Sequence, residues 1–240
     1  MIKTRFIPLI AGTLVLFCQG CFIDYAQTIY GDGNVITRER EVDDFTGLKV
    51  SSGIDVYITQ GAKEDIEVEA DENLHEVILT EVRDGTLRIW TEYNIRQAKA
   101  KKVHLTYRDL SSISISSAGD VYGTNPMHTE DLNIILSSAG DLELEVHAIS
   151  VDIDISSSGD ARLKGSTEVL TANLSSAGDL YAFDLEASKC RVQVSSAGSA
   201  RVNASEELDM ASSSAGDIIY TGDARINKMS TSSAGSIRKK

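Results

Sequence analysis

Aspartate follows a recurrent glycine at Asp120, Asp141, Asp160, Asp179 and Asp217, and Ser199 and Ser236 interrupt the series. If the chain repeats in space as it does in sequence, these carboxylates stack about 5 Å apart. They then repel one another unless water or a cation lies between them. Hard oxygen ligands suit Ca²⁺, which makes Asp120, Asp141, Asp160 and Asp179 a candidate calcium ladder. The plainer reading is that aspartate favours a solvated turn. The Gly-rich nonapeptide of calcium-binding β-rolls is absent from the sequence, and no cofactor is implied.

Two residues beyond the aspartates an outward column reads Tyr122, Glu143, Arg162, Tyr181, Arg201, Ile219 and Arg238. Tyr and Arg are enriched where proteins meet partners, so Tyr122, Glu143, Arg162, Tyr181 and Arg201 form a candidate binding face. A solvated face fits the same residues. Glu143–Arg162 and Glu145–Lys164 are spaced to pair across coils, worth about 0.2–1 kcal/mol each.

Acid–base catalysis needs grouped side chains. His75, His104, His128 and His147 read as scattered, sharing no repeat column, and Trp90 is the single tryptophan. The basic run Arg96, Lys99, Lys101 and Lys102 reads as a solvated loop rather than a phosphate site. The expectation is a protein that is not an enzyme. Cys190 lies in an apolar column, where a lone cysteine acts as a small hydrophobe.

The elements that must position these residues come from one tetrapeptide. Ser-Ser-Ala-Gly, with small variations, ends at Gly119, Gly140, Gly159, Gly178, Gly198, Gly216 and Gly235, at intervals of 21, 19, 19, 20, 18 and 19 residues. A near-constant period of this size marks a solenoid. Four residues before the glycine stand Ile115, Leu136, Ile155, Leu174 and Val194. Six before it stand Ile113, Ile134, Ile153, Ala172, Val192, Met210 and Met229. Apolar residues two apart with polar ones between describe half-buried strands, and the alternation resumes after the glycine. Each coil is therefore strand, corner, strand and variable return. At the corner the sequence predicts a glycine with positive φ and close coil-to-coil approach, and an alanine turned inward. Seven coils make a rod of roughly 34 Å. The fold class is all-β, a parallel β-helix, right-handed by the rule for parallel crossovers.

The 240-residue chain carries a formal charge of −13. Such a surface disfavours nucleic acid and anionic headgroups. The N-terminus reads as an export signal over residues 1–20: Lys3 and Arg5, an apolar stretch over 6–17 too short to span a bilayer, then Gly20-Cys21. A small residue before cysteine resembles the lipobox of bacterial lipoproteins, with Cys21 as the acylated residue, although Cys18 replaces the usual leucine. Ordinary cleavage after Ala26 is the competing reading. Residues 21–34 read as a tether and 35–110 as irregular first coils and a cap. Residues 111–240 read as seven regular coils. Within the first half, Ser51-Ser-Gly-Ile-Asp55 is an imperfect corner. Residues 77–82 and 87–90 around Asp84-Gly85 predict a hairpin, and 71–75 a single helical turn.

The segments Ser52-Gly-Ile-Asp55 and Asn94-Ile-Arg96, with the Ser-Ser-Ala-Gly-Asp series, resemble the head GIN domain family of secreted bacterial proteins. The family's Gly-Ile-Asn signature reads Gly-Ile-Asp here. The resemblance runs from about Val35 to the C-terminus. It implies a single-stranded right-handed β-helix and, through the family's name, an adhesin; it brings no catalytic residues. The function expected is a non-catalytic envelope lipoprotein, anchored at the outer membrane only through its lipid. It would present a β-helical face to a surface ligand such as a glycan or host protein. The alternative is a glycan-binding or polysaccharide-degrading β-helix.

Overall fold

The structure is a computed structural model and describes residues 27–240. The export signal and Cys21 lie outside the described residues.

The chain forms a parallel β-helix. Ser112–Ile115 and Asp120–Gly123 flank the first Ser-Ser-Ala-Gly corner. After Met127–Leu136, the strands Asp141–Ile155, Asp160–Leu174, Asp179–Val194 and Ser199–Ser212 each run unbroken from one corner to the next. The register follows the repeat: Ile113 lies beside Ile134, then Ile153, Ala172, Val192, Met210 and Met229. Alternate residues point inward, and the core is a stack of Ile, Leu, Val and Ala columns, nearly all solvent-free. Each fully buried aliphatic side chain contributes about 1.5–3 kcal/mol. Differences in coil length are absorbed in the return, where pairing slips between Ala182 and Glu186.

The corners depart from the expected geometry. Positive φ falls on the second serine and the alanine, as at Ser176 (52°) and Ala177 (63°), and not on the glycine. With Gly178 N–H donating to Ser175 O at 3.1 Å, this is the pattern of a type I′ turn. The alanine faces solvent and the glycine is buried. The glycine is there for space alone: a Cβ on Gly178 would lie 2.6 Å from Ile155 Cγ2 and 3.1 Å from Ile155 O of the coil below. Two left-handed non-glycine residues cost about 1–2 kcal/mol each. The stack holds them in place, since Ala177 N–H donates to Ser196 O at 3.0 Å and Ala139 N–H to Ser157 O at 3.0 Å. A hydrogen-bond ladder thus runs along the corner edge.

Below the regular coils, spatial order and chain order diverge. Gly47–Val50 and Asp55–Gln60 lie directly under Ser112–Ile115 and Asp120–Gly123. Beneath them lie Thr86–Trp90 and Lys101–Tyr107. Antiparallel strands close this end. Val35–Arg40 pairs with Asp65–Asp71, which pairs with Lys101–Tyr107. The expected hairpin joins Leu79–Arg83 to Thr86–Trp90 through Asp84 (φ 52°) and Gly85 (φ 71°), and the helical turn is the 3₁₀ segment Glu72–Leu74. Thr28–Tyr30 pairs with Asn94–Arg96, so the stretch read as a tether joins the fold from residue 28. Buried Asp71 fastens this region: its carboxylate accepts from the N–H groups of Gly33 (2.8 Å), Lys99 (2.9 Å) and Ala100 (3.0 Å).

Candidate functional site

The aspartates expected in one column are in one column. Asp120, Asp141, Asp160 and Asp179 are register partners in successive coils, continued by Ser199, Asp217 and Ser236. The column also begins earlier than the sequence reading placed it: Asp55 lies directly beside Asp120, and Lys102 lies beside Asp55. The glycine spacing does not reveal Asp55, because the glycine of its corner stands one position early. Gly53, at φ 65°, occupies the alanine position and Ile54 the glycine position. Aligned on its serines, Ser51-Ser52-Gly53-Ile54-Asp55 would have revealed the match.

Burial first, and then the neighbouring carboxylates, push two members of this ladder above the ordinary aspartate range. Asp120 feels Asp141 and Asp55, and Asp160 feels Asp141 and Asp179. The ladder is relieved by its own face. Tyr122 and Tyr181 hydroxyls each donate to the Oδ2 of Asp120 and Asp179, both at 3.3 Å. Arg162 approaches Asp160 at 3.9 Å, Arg238 approaches Asp217 at 3.4 Å, and Ser236 hydroxyl bonds Asp217. Among the described residues, no group of three or more His, Cys, Asp or Glu is placed to hold a metal ion.

The second outward column is likewise in register and longer than expected. Tyr57 lies beside Tyr122 and His104, so the face reads His104, Tyr57, Tyr122, Glu143, Arg162, Tyr181, Arg201. Its members stack on one another. The Tyr57 ring lies 5.3 Å from both the His104 and Tyr122 rings, centroid to centroid. Tyr181 is held between two guanidinium groups, with Arg162 Cζ at 4.8 Å and Arg201 Cζ at 4.4 Å from its ring centroid. This sandwich explains why Glu143 and Arg162, though neighbours, form no ion pair: Arg162 is committed to Asp160 and Tyr181. Glu145 and Lys164 do pair, at 3.1 Å.

The histidines are less scattered than their sequence positions suggested. His128 and His147 are register partners, with rings stacked at 5.1 Å. Their separation of 19 residues equals the local repeat interval, a signal present in the sequence. His147 Nδ1 meets Ser166 Oγ at 2.9 Å, and its Nε2 lies 3.7 Å from Glu145. Three lysines of the basic run are engaged within the fold: Lys99 Nζ donates to Gly33 O at 2.8 Å, Lys101 Nζ to Gly53 O, and Lys102 lies 6.0 Å from the Tyr57 ring centroid. Cys190 is buried between Leu170 and Leu208, and burial pushes its thiol up to about 12.

A parallel β-helix closed at one end by antiparallel strands, with stacked aspartate and Tyr/Arg columns along one face, defines a class of repeat protein. Residues 44–224 match the family described as "Putative auto-transporter adhesin, head GIN domain". The chain belongs to that family. Its fold is shared with a "putative adhesin" of Bacteroides fragilis NCTC 9343, at 25% identity over 88% of this chain and 100% of that one, TM-score 0.82. A Parabacteroides distasonis ATCC 8503 protein described as a "putative lipid binding protein" aligns at 25% identity over 89% of this chain and 100% of that one, TM-score 0.73. A "putative adhesin" of Parabacteroides merdae ATCC 43184 has the same fold at 19% identity, over 90% of this chain and 100% of that one, TM-score 0.72. No curated protein matches this chain.

Proposed function

We propose that this protein is a non-catalytic adhesin of the cell envelope, exported by its leader, acylated at Cys21 and held at the outer membrane by that lipid. The family and the adhesin-like folds support the adhesive class. The leader and Gly20-Cys21 support export and anchoring. The observation that carries the reading is the in-register face from Tyr57 to Arg201. Its side chains are fixed by neighbours in the coils above and below, so a partner would meet a preorganised surface and lose little entropy in ordering it. Both ring faces of Tyr57 and Tyr181, and one face of Tyr122, are occupied by stacked neighbours. The face therefore offers ring edges, hydroxyls, guanidinium and carboxylate groups, the chemistry of a broad protein-contacting surface. Many copies on one cell would add weak contacts into firm attachment.

Two measurements test this. Mass spectrometry of the mature protein should find a diacyl- or triacyl-cysteine at Cys21; a chain starting near Gln27 without lipid would make it a secreted protein. Beads coated with residues 27–240 should adhere to host-matrix or cell surfaces, and Tyr181→Ala with Arg201→Ala should reduce adhesion at least five-fold. Adhesion unchanged by both substitutions would remove the ladder face from the proposal.

A further inference from the structure

A second surface, distinct from the ladder face, has its own chemistry. We propose that the groove along the strands immediately before the corners binds a linear, uncharged polysaccharide. This deepens the adhesin reading and rests on it. The groove has a volume of about 370 Å³ and runs from Ile135 to Ser232, within the range of ligand-binding clefts. One outward column forms its wall: Ile135, Asp154, Asn173, Gln193, Ala211 and Ser230, each the register partner of the next. The first serines of five successive corners, Ser156, Ser175, Ser195, Ser213 and Ser232, line its other side.

Charge is the first argument. In a chain of net charge −13, this groove contains one ionic group, Asp154, whose Oδ1 accepts from Asn173 Nδ2 at 2.9 Å. The rest is amide, hydroxyl and aliphatic. Amides and hydroxyls both donate and accept, which is what a sugar hydroxyl, itself donor and acceptor, requires of its partner. Ile135, 42% exposed at one end, supplies an apolar patch for the C–H face of a ring. A polyanion would be repelled by the protein's field, and a polycation would find a single, already engaged carboxylate.

Shape is the second argument. The wall repeats once per coil, about 4.8 Å, over five steps, or about 24 Å. A linear polymer lying along the helix axis meets one amide or hydroxyl set per coil. A peptide strand advances about 3.3 Å per residue and falls out of step. It also needs free backbone groups to join a ladder, and on this wall the ladder is already filled: Asn173 is paired on both sides, with Asp154 and Gln193. The wall suits hydroxyl-bearing polymers and gives a peptide nothing to extend.

The test uses residues 27–240 on a glycan array carrying laminarin, mannan and xylan, with polygalacturonate and collagen as comparators. Hits are measured by calorimetry. Asn173 and Gln193 are solvent-exposed, so N173A/Q193A should leave the circular dichroism and melting curve unchanged. The expected result is saturable binding of at least one uncharged polymer, weakened at least ten-fold by N173A/Q193A and unaffected by Tyr181→Ala. The proposal is overturned if no uncharged polymer binds, if only polygalacturonate or collagen binds, or if binding survives N173A/Q193A. Bead adhesion separates the two readings. Adhesion that persists without glycan binding sinks the groove and leaves the adhesin standing, whereas loss of both sinks both.

Discussion

Ala177, and not Gly178, carries the left-handed backbone of its corner: its φ is 63°, while a Cβ added to Gly178 would press 2.6 Å from Ile155 Cγ2. Two adjacent small residues therefore answer two different demands. One must tolerate a strained dihedral in solvent, and the other must leave room for the coil below.

This division sets opposite outcomes for two single-atom changes. Gly178→Ala should destabilise by about 1–3 kcal/mol, the cost of overpacking against backbone and a core isoleucine. Ala177→Gly should stabilise by about 0.5 kcal/mol, relieving left-handed strain at some cost in chain entropy. Urea denaturation of both variants checks the pair. Equal destabilisation would mean that the corner's dihedrals are set differently.

The acidic ladder predicts a pH signature. Folded Asp120 and Asp160 hold their protons above the ordinary aspartate value. Just above that ordinary value the folded state binds more protons than the unfolded one, and stability from these groups falls as pH rises through the window. Asp160→Asn should therefore raise stability at pH 7 by about 0.5 kcal/mol. Its advantage over wild type should shrink on acidification through the raised folded pKa and vanish once the unfolded aspartate is also protonated. Paired unfolding curves from pH 3 to 7 measure this difference, and an advantage that grows on acidification would reverse the sign.

Asp71 predicts the opposite slope. Burial works to raise its pKa, but the backbone N–H donors of Ala100, Gly33 and Lys99 outweigh burial and hold it below the ordinary value. Its contribution is present at neutral pH and is lost as pH falls through its lowered folded pKa. Asp71→Ala should cost about 3 kcal/mol at pH 7 by leaving the buried Ala100 donor and the part-buried Gly33 and Lys99 donors unpaired. Chemical denaturation at pH 7 measures the loss, and proteolysis should begin in the loosened residues 28–34.

Cys190 should report global unfolding. Its thiol is buried and pushed up to about 12, so a thiolate reagent finds no nucleophile in the folded protein. On residues 27–240, where Cys190 is the single thiol, labelling at pH 8 should track the fraction unfolded across a urea titration. Fast labelling in buffer alone would show that the middle coils open locally.

Most of the regular stack was legible because the corner glycines fixed a register and the apolar columns at four and six residues before them confirmed it. The hairpin at Asp84-Gly85 was legible because its turn is local. Tyr57 and Asp55 were not found, since their neighbours Tyr122 and Asp120 lie 65 residues away and their corner lacks alanine. The His128–His147 stack is readable from its 19-residue spacing. The fate of Arg162 was not readable: three neighbours compete for one guanidinium, and geometry, not sequence order, chooses Asp160 and Tyr181 over Glu143.

The interleaving of residues 47–60 between a later segment and the regular coils has a kinetic meaning. Each regular coil docks on the one made just before it, closing a loop of about one repeat. Asp55, by contrast, gains Lys102 and Asp120 as lateral neighbours only after loops of 47 and 65 residues have closed. Longer closures cost more entropy before any contact repays it. The base should therefore be the slow step of assembly, with Gly47–Val50 and Asp55–Gln60 paired on one edge only until residues 112–123 are available, after which the remaining coils can add in succession.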